Sequence, residues 1–524
     1  MKKIFLLLFC FLLWQFCLAQ LDSAKVYVES KVAVGTKGYL PQWIGYNQNG
    51  LLNPNENDYF LRTRASLPVW KKGKFSITSG LDAVLKPHDL DDSFINQAYT
   101  EFKFGAFSLK SGRYLWTETD FNHELSSGNM YRSINTRPNW RFGAGIYQFT
   151  DVPFTKGYVQ VKGMIEYGYL EDSRPVSSAK LHDKFAYIRS AKLPINLIVG
   201  LNHSAIFDGV NDRGRELPGD FLEVFFARSA VDSGNNSDST NAAGAHFGLF
   251  EIAFEVPMKE GSIKAYVHQP ISDKSGFSSN FTHNKDYVFG LEFQVKNHPF
   301  FQSLLYENIN TVHQSGEGIH APVINGRTYS LGELRALDNY DQFVQDNLGI
   351  TTSNLTWSEF RDLLQREVNN GYGFSGRDDH YNNRQYFNGS SYQNLQLGNP
   401  LFTTRDRLLR TIGEDGNFDR FFINNRIIAH HIGVKGSLKQ TDFRFLATFT
   451  QNFGTYGGFY GGNKSSFNED LDYIFRQILS QQSVLIEISR KVNTKLSYTL
   501  SVGADFGDFG NNVGASGTIV YQIK

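Results

Sequence analysis

The chain has 524 residues but only two cysteines, Cys10 and Cys17. Both sit in the N-terminal segment, so a chain cleaved after it carries no thiol at all. That excludes disulfide stapling, thiolate metal sites and cysteine nucleophiles for the mature protein. Proline is scarce at 14 residues, against 48 glycines. A surplus of charge of one sign is missing too, with 52 basic and 52 acidic residues. A nucleic-acid reader carries a basic excess, so nucleic acid is not an expected partner. The balance also gives no strong field for steering an ionic substrate. Beyond Gln20 there is no apolar run of the roughly 18 residues that a transmembrane helix needs. Mean hydropathy is −0.35. A membrane β-barrel is compatible with that value, because only alternate residues face lipid.

The N-terminus has the form of an export signal. Lys2 and Lys3 give a short positive region, and Ile4 to Phe16 is apolar apart from Gln15. Cys17-Leu18-Ala19 then places small residues at the −3 and −1 positions of a cleavage site. The sequence therefore predicts a signal peptide over 1–19 and a mature protein over 20–524. An exported chain of this size without disulfides suits a barrel, whose closed hydrogen-bonded wall supplies rigidity.

Period-two alternation is the dominant pattern. In Tyr287 to Val295 every odd position is large and apolar, while Glu292 and Gln294 occupy even ones. Phe443, Phe445, Ala447 and Phe449 alternate with Arg444, Leu446, Thr448 and Thr450. Leu496, Tyr498, Leu500, Val502 and Ala504 alternate with Ser497, Thr499, Ser501 and Gly503. Similar stretches lie near 58–70, 74–86, 95–104, 157–168, 184–191, 195–203, 245–256, 262–269 and 427–438, and the last is carried by Ile519, Tyr521 and Ile523. One face suits lipid and the other a polar lumen. Aromatics make up 15% of the chain, and Phe and Tyr dominate the apolar positions. A soluble sandwich or propeller would bury Val, Ile and Leu there instead. The expected fold is an all-β, transmembrane antiparallel barrel of about 16–18 strands with short turns alternating with longer loops.

Two stretches depart from strand character. Thr356 and Glu359 have the spacing of a capping box, and Trp357, Phe360, Leu363, Leu364 and Val368 follow at helical spacing. This predicts a short helix near 356–369, packed against the barrel. Ser229 to Ala243 is rich in Ser, Asn, Asp and Gly and reads as an exposed loop tip.

The segment Gly371 to Phe402 interleaves Tyr372, Phe374, Tyr381, Tyr386, Phe387 and Tyr392 with Arg377, Asp378, Asp379, His380, Asn382, Asn383 and Arg384. Sugars present apolar C–H faces and many hydroxyls. Stacking rings beside planar amides and carboxylates are the matching chemistry. A loop that closes a pore by tyrosine packing has the same composition, and the two roles are compatible. Arg377, Asp379, His380, Tyr381, Asn383 and Tyr386 are the candidate polysaccharide contacts. Asp378-Asp379-His380 is a weak metal signal, because adjacent strand residues point to opposite faces. His430-His431 has the same geometry, with one ring toward the lumen and one outward, and fits a structural hydrogen-bonding role. No G-x-S-x-G elbow is present. The sequence implies no cofactor, no metal and no catalysis.

The chain resembles the capsule assembly Wzi family. Five stretches carry the resemblance: Ser126 to Met130 running into Ser133 to Pro138; Pro153 to Gly157 with Val161 to Gly163; Leu181 to Lys184 before Tyr187; Gly200 to His203; and a C-terminal part with Gly398 to Phe402, Asn424 to Gly433 and Asn452 to Tyr456. The sequence departs after His203, reading Ser204 to Gly209 where the family often has a Trp-Gly-Gly-like turn, and it ends in Lys524 rather than an aromatic residue. The resemblance implies an outer-membrane barrel with a lectin-like role, holding capsular or other exopolysaccharide at the cell surface, with outer-membrane lipid around it. A diffusion porin with an open lumen and an outer-membrane hydrolase are the alternatives.

Overall fold

The computed structural model describes residues 24–116, 121–228, 242–272, 285–314, 322–329, 333–334, 336–368, 379–383, 385–413, 420–455 and 474–524. The expected signal peptide and residues 229–241 of the expected loop tip lie outside them, while Ala242 and Ala243, at the end of that stretch, are buried rather than exposed. Eighteen strands form a single sheet. They are β1 (Lys25–Gly35), β2 (Asp58–Lys72), β3 (Phe75–Leu85), β4 (Phe94–Phe104), β5 (Phe107–Arg113), β6 (Trp140–Asp151), β7 (Val159–Tyr169), β8 (Lys180–Ser190), β9 (Asn196–Phe207), β10 (Ala245–Met258), β11 (Gly261–Ile271), β12 (Tyr287–Val295), β13 (Phe301–Asn310), β14 (Ile427–Leu438), β15 (Thr441–Asn452), β16 (Leu479–Lys491), β17 (Leu496–Gly507) and β18 (Asn512–Gln522). Each strand pairs antiparallel with the next. β1 also pairs with β18, placing Val28 opposite Tyr521 and Val32 opposite Gly517. The sheet is thus a closed barrel with no free edge, as the alternation predicts.

The two faces separate by residue parity. Leu61, Leu81, Leu109, Ile165, Ile252, Leu291, Ile486 and Leu500 are exposed on the outside of the wall, where hydrocarbon covers such side chains. Trp70, Phe75, Phe104 and Phe107 stand exposed on β2–β5 near one end, and Tyr59, Trp140, Tyr169 and Phe449 on β2, β6, β7 and β15 near the other. These are the aromatic girdles of an outer-membrane-type barrel. Among the described residues no helix is long and apolar enough to cross a membrane.

Inside, polar side chains pair across strands. Arg62 donates to both oxygens of Asp82, from Nε at 2.8 Å and Nη2 at 2.7 Å, and to Glu29 from Nη1 at 3.2 Å. Tyr187 donates to Glu251 at 2.9 Å, and Arg141 pairs with Glu166 at 2.9 Å. Out of water, an unmatched charge costs several kcal/mol, which is why these groups come in matched sets. The Tyr266 ring lies over Gly290, its partner on the next strand; a Cβ at Gly290 would meet the ring at 2.0 Å. Glycine on an inner strand position is what lets the ring lie flat against the wall.

The strand connections are unequal. At the end that holds both Lys25 and Gln522 they are short, as at 73–74, 105–106, 259–260 and 439–440. At the opposite end they include 36–57, 114–139, 208–244, 311–426 and 453–478. The predicted helix forms at Trp357–Glu367, with Thr356 and Glu359 making the expected capping box. Its packing differs from expectation. Phe360, Leu363 and Leu364 join Ile324, Leu334 and Val344 in a small core inside the 311–426 insertion. A second helix, Tyr340–Leu348, supplies the partner that the local sequence could not reveal, and the barrel wall contributes nothing to that core.

Candidate functional site

The lumen is filled by chain from the long-loop end. Among the described residues three segments enter it: 36–57, 114–116 with 121–139, and 379–383 with 385–404. In the first, Pro41 precedes a one-turn helix, Gln42–Gly45, which aims Trp43 at the wall. The Trp43 Nε1 donates to Thr448 Oγ1 at 2.9 Å, and the Gln42 amide donates to Asp505 Oδ2 at 2.9 Å. In the second, Glu307 on β13 takes three hydrogen bonds: from Ser126 Oγ at 2.6 Å, the Ser127 amide at 2.8 Å and Tyr266 OH at 2.7 Å. His431 Nε2 sits 2.7 Å from the Leu125 carbonyl. The loop touches the wall directly, because a Cβ at Gly433 would meet that carbonyl oxygen at 2.4 Å. Tyr131 and Arg132 both donate to Asp183, at 3.0 and 2.8 Å. Gly433 lies at the middle of β14, so the filling reaches about the middle of the wall.

The third segment lies on the second. Asn135 donates to Gln396, Ser133 to the Gly398 carbonyl at 2.7 Å, and Asn399 to the Gly128 carbonyl at 2.7 Å. From outside, the helix Arg405–Ile412 locks the first segment, since Arg407 donates to the carbonyls of Pro54 at 2.8 Å and Leu40 at 2.9 Å. Between Tyr46, Phe402, Arg407 and Asp505 a cavity of about 50 Å³ remains. That is room for roughly three or four waters, not a path for a solute.

The six predicted contact residues separate by depth. His380 is fully buried, held by Asp286 at 2.7 Å and by Ser272. Tyr381 is buried at a left-handed φ of 71°. Its hydroxyl donates to the Met130 carbonyl and accepts from the Asn399 amide at 2.8 Å. Burial pushes that phenol well above its ordinary range, with the Asn399 bond opposing, so it stays neutral. The Tyr386 ring is buried and its hydroxyl donates to the Asp208 carbonyl at 3.2 Å. Asp379 is half-buried, bonded to Asn382, Asn425 and Thr455 and paired with Arg420 at 3.1 Å. Asn383 is half-buried and caps the amides of Gln385 and Tyr386. Arg377 lies outside the described residues. The structure therefore brings Asp379, His380 and Tyr381 together against Met130, Asn399 and Asn425, and sets Asn383 beside Tyr386.

The sequence stretches singled out earlier converge here. Ser126 to Met130, Ser133, Asp183, Gly398 to Phe402, Asn424, Asn425 and His431 all bind the filling segments to one another or to the wall. What the sequence missed is the 36–57 segment, whose Trp43 and Arg407 partners lie hundreds of residues away. Its one signal is a set of apolar residues, Leu40, Trp43, Ile44, Leu51 and Leu52, between two strands, with no partner in sight locally. His430 points outward and meets the Tyr306 hydroxyl at 2.8 Å, so the paired histidines divide between the two faces of the wall.

No protein-family model and no curated protein sequence matches the chain. Among solved structures it is similar to Wzi, an outer membrane protein involved in group 1 capsule assembly in Escherichia coli and a carbohydrate-binding β-barrel. The TM-score is 0.54 at 13% identity, over 96% of this chain and 85% of that one. It is also similar to OprD of Pseudomonas aeruginosa, with a TM-score of 0.43 and 9% identity over 95% and 94% of the two chains. OpdL of the same organism gives 0.44 and 6% over 95% and 98%. At these identities the likeness is one of barrel architecture.

Proposed function

We propose that this chain is a non-catalytic outer-membrane protein of the capsule assembly Wzi type, which binds surface or capsular polysaccharide at its long-loop end and holds it at the cell. The observation that carries this reading is the filled lumen. A diffusion porin needs a continuous water path. Here three segments occupy the barrel and are bonded to its wall and to each other. A rigid filling is a cost for a pore and an asset for a binding platform, because it preorganises the outer surface. The fold likeness to a carbohydrate-binding barrel points the same way, with the weight that an analogy between folds deserves.

In this reading the predicted contact residues divide between two roles. Arg377 and Asn383 contact the glycan, while Asp379, His380, Tyr381 and Tyr386 hold the loop in shape. A polymer that repeats its epitope makes weak single sites sufficient through avidity.

The test uses the purified barrel in detergent and the surface polysaccharide of the organism that makes it. Saturable binding by the native protein, weakened in the folded double variant Arg377→Ala and Asn383→Ala, supports the reading and its site. Binding unchanged in the variant moves the site to other outer loops. Absence of binding, together with steady conductance in planar bilayers, overturns the reading in favour of a porin.

A further inference from the structure

We propose that Glu56, His88 and Asp92 form a divalent-metal site at the long-loop end, with Asp58 as the partner that orients His88. Nothing in the polysaccharide reading requires this site, and it stands on separate observations. Glu56 lies just before β2, and His88 and Asp92 lie in the short β3–β4 connection. Asp89 accepts from the Asp91 amide and so caps the turn Leu90–Asp92, which fixes the stretch that carries both His88 and Asp92. One ligand atom from each of Glu56, His88 and Asp92 lies within 4.8 Å of the other two. Zinc binds such nitrogen and oxygen atoms at about 2.0–2.2 Å, so small rotamer changes bring all three onto one ion.

Proximity of acidic groups is common on surfaces, and the second observation is what singles this cluster out. Asp58 is only 1% exposed. Its Oδ2 is taken by Lys86 Nζ and by the Asn53 amide at 2.8 Å. Its Oδ1 accepts no hydrogen bond and lies 3.8 Å from His88 Nε2. A buried carboxylate oxygen turned on one imidazole nitrogen is the arrangement that sets the tautomer and orientation of a metal-bound histidine. Nε2–H would then close on Asp58, leaving Nδ1 for the ion. The Tyr59 ring, tilted against His88 with centroids 4.9 Å apart, limits the swing of the imidazole. Glu56 has one oxygen fixed by Asn53 Nδ2 at 2.6 Å, and its other oxygen is left to bind.

The donor set decides the metal class. One imidazole nitrogen with two carboxylates favours zinc or a similar borderline cation over calcium, which prefers an all-oxygen shell. The His88 side chain is 28% exposed and Asp92 is exposed. A fourth coordination position therefore opens outward, to water or to an external oxygen ligand.

The experiment is calorimetric titration of the chelator-stripped, full-length barrel with Zn2+ alone, then with Ca2+ alone. The expected result is one Zn2+ per chain, with affinity reduced more than 10-fold in His88→Ala and in Asp92→Asn. Folding of each variant is checked by heat-modifiable gel mobility. Asp58→Asn is expected to weaken Zn2+ by about 10–100-fold while the variant keeps the heat-modifiable mobility of the native barrel. Undiminished Zn2+ binding in His88→Ala, binding of Ca2+ in preference to Zn2+, or no binding to the native protein overturns the proposal.

Discussion

His431 and Thr448 face each other across the β14–β15 ladder, and Thr448 Oγ1 lies 2.7 Å from His431 Nδ1. Because Thr448 also accepts from Trp43, and His431 Nε2 reaches the Leu125 carbonyl, the pair is a relay. It runs from the 36–57 segment through two wall residues to the 114–139 segment. The direction of the protons follows from the fixed ends: indole N–H to hydroxyl, hydroxyl to Nδ1, Nε2–H to carbonyl.

His431→Phe keeps the ring beside Trp43 and deletes both links. The buried Leu125 carbonyl then loses its donor, and the Thr448 hydroxyl keeps the Trp43 indole but loses its acceptor. The expected cost is about 1–3 kcal/mol. It should be read first as faster hydrogen exchange over 114–139, with the wall strands unchanged.

Glu307 is the anchor of the second segment. Glu307→Ala removes the acceptor of Ser126, Ser127 and Tyr266 together and is expected to let 114–139 detach. Single-channel recording in planar bilayers checks this: conductance should rise above that of the native protein. A silent variant would mean that the other two segments seal the barrel unaided.

Leu500 stands near the middle of β17 on the outer face, more than half exposed. Leu500→Arg places a charge in hydrocarbon and is expected to cost about 2–4 kcal/mol. Thr499→Arg, one residue away on the inner face, is expected to cost less. Reversible unfolding in lipid vesicles separates the two.

Glu171, in the connection between β7 and β8, accepts from the Gln393 amide at 3.2 Å. Burial raises its carboxyl above the ordinary value of 4.5, opposed by the Arg174 guanidinium. A carboxyl whose folded value is raised contributes stability that is fully present below the ordinary value and is lost as pH rises through the raised one. Protection of residues 170–179 from hydrogen exchange, corrected for intrinsic rates, is therefore expected to fall as pH rises from 4 toward neutrality. Glu171→Gln should remove the dependence.

The wall was largely legible in the sequence, because a strand's side-chain period is a local property and both faces of this one are chemically distinct. Tyr287 to Val295 and Leu496 to Ala504 read correctly for that reason. β1, β5, β6, β13 and β16 did not stand out. Gly143 and Gly145 of β6, for example, stand opposite tyrosine hydroxyls and backbone rather than contributing apolar side chains. The helix at Trp357–Glu367 announced itself through its cap, but not its partner, since the cap is local and the packing is not. The filling of the lumen was the least visible feature. Ser126 and Glu307 are 181 residues apart, and no spacing rule connects them. The aromatic residues of 371–402 were recognised as a group, and composition alone could not tell a ring that stacks on a ligand from one, such as Tyr386, that packs beneath the surface.

The insertion at 311–426 leaves and re-enters the wall at neighbouring points, where the Thr311 amide bonds to the Ile427 carbonyl at 2.9 Å. The entropy of closing a loop grows only with the logarithm of its length, about 0.6 kcal/mol for each doubling. With the ends of the insertion clamped together, its 322–368 part, whose core is its own, behaves as a graft, while 379–412 stays bonded to the lumen filling. That part can lengthen, shrink or be replaced while β13 and β14 remain paired and the lumen stays filled. Diversification of the outer surface among related barrels is then expected to concentrate in 322–368, and a foreign module spliced in its place should be displayed at the long-loop end on an intact wall.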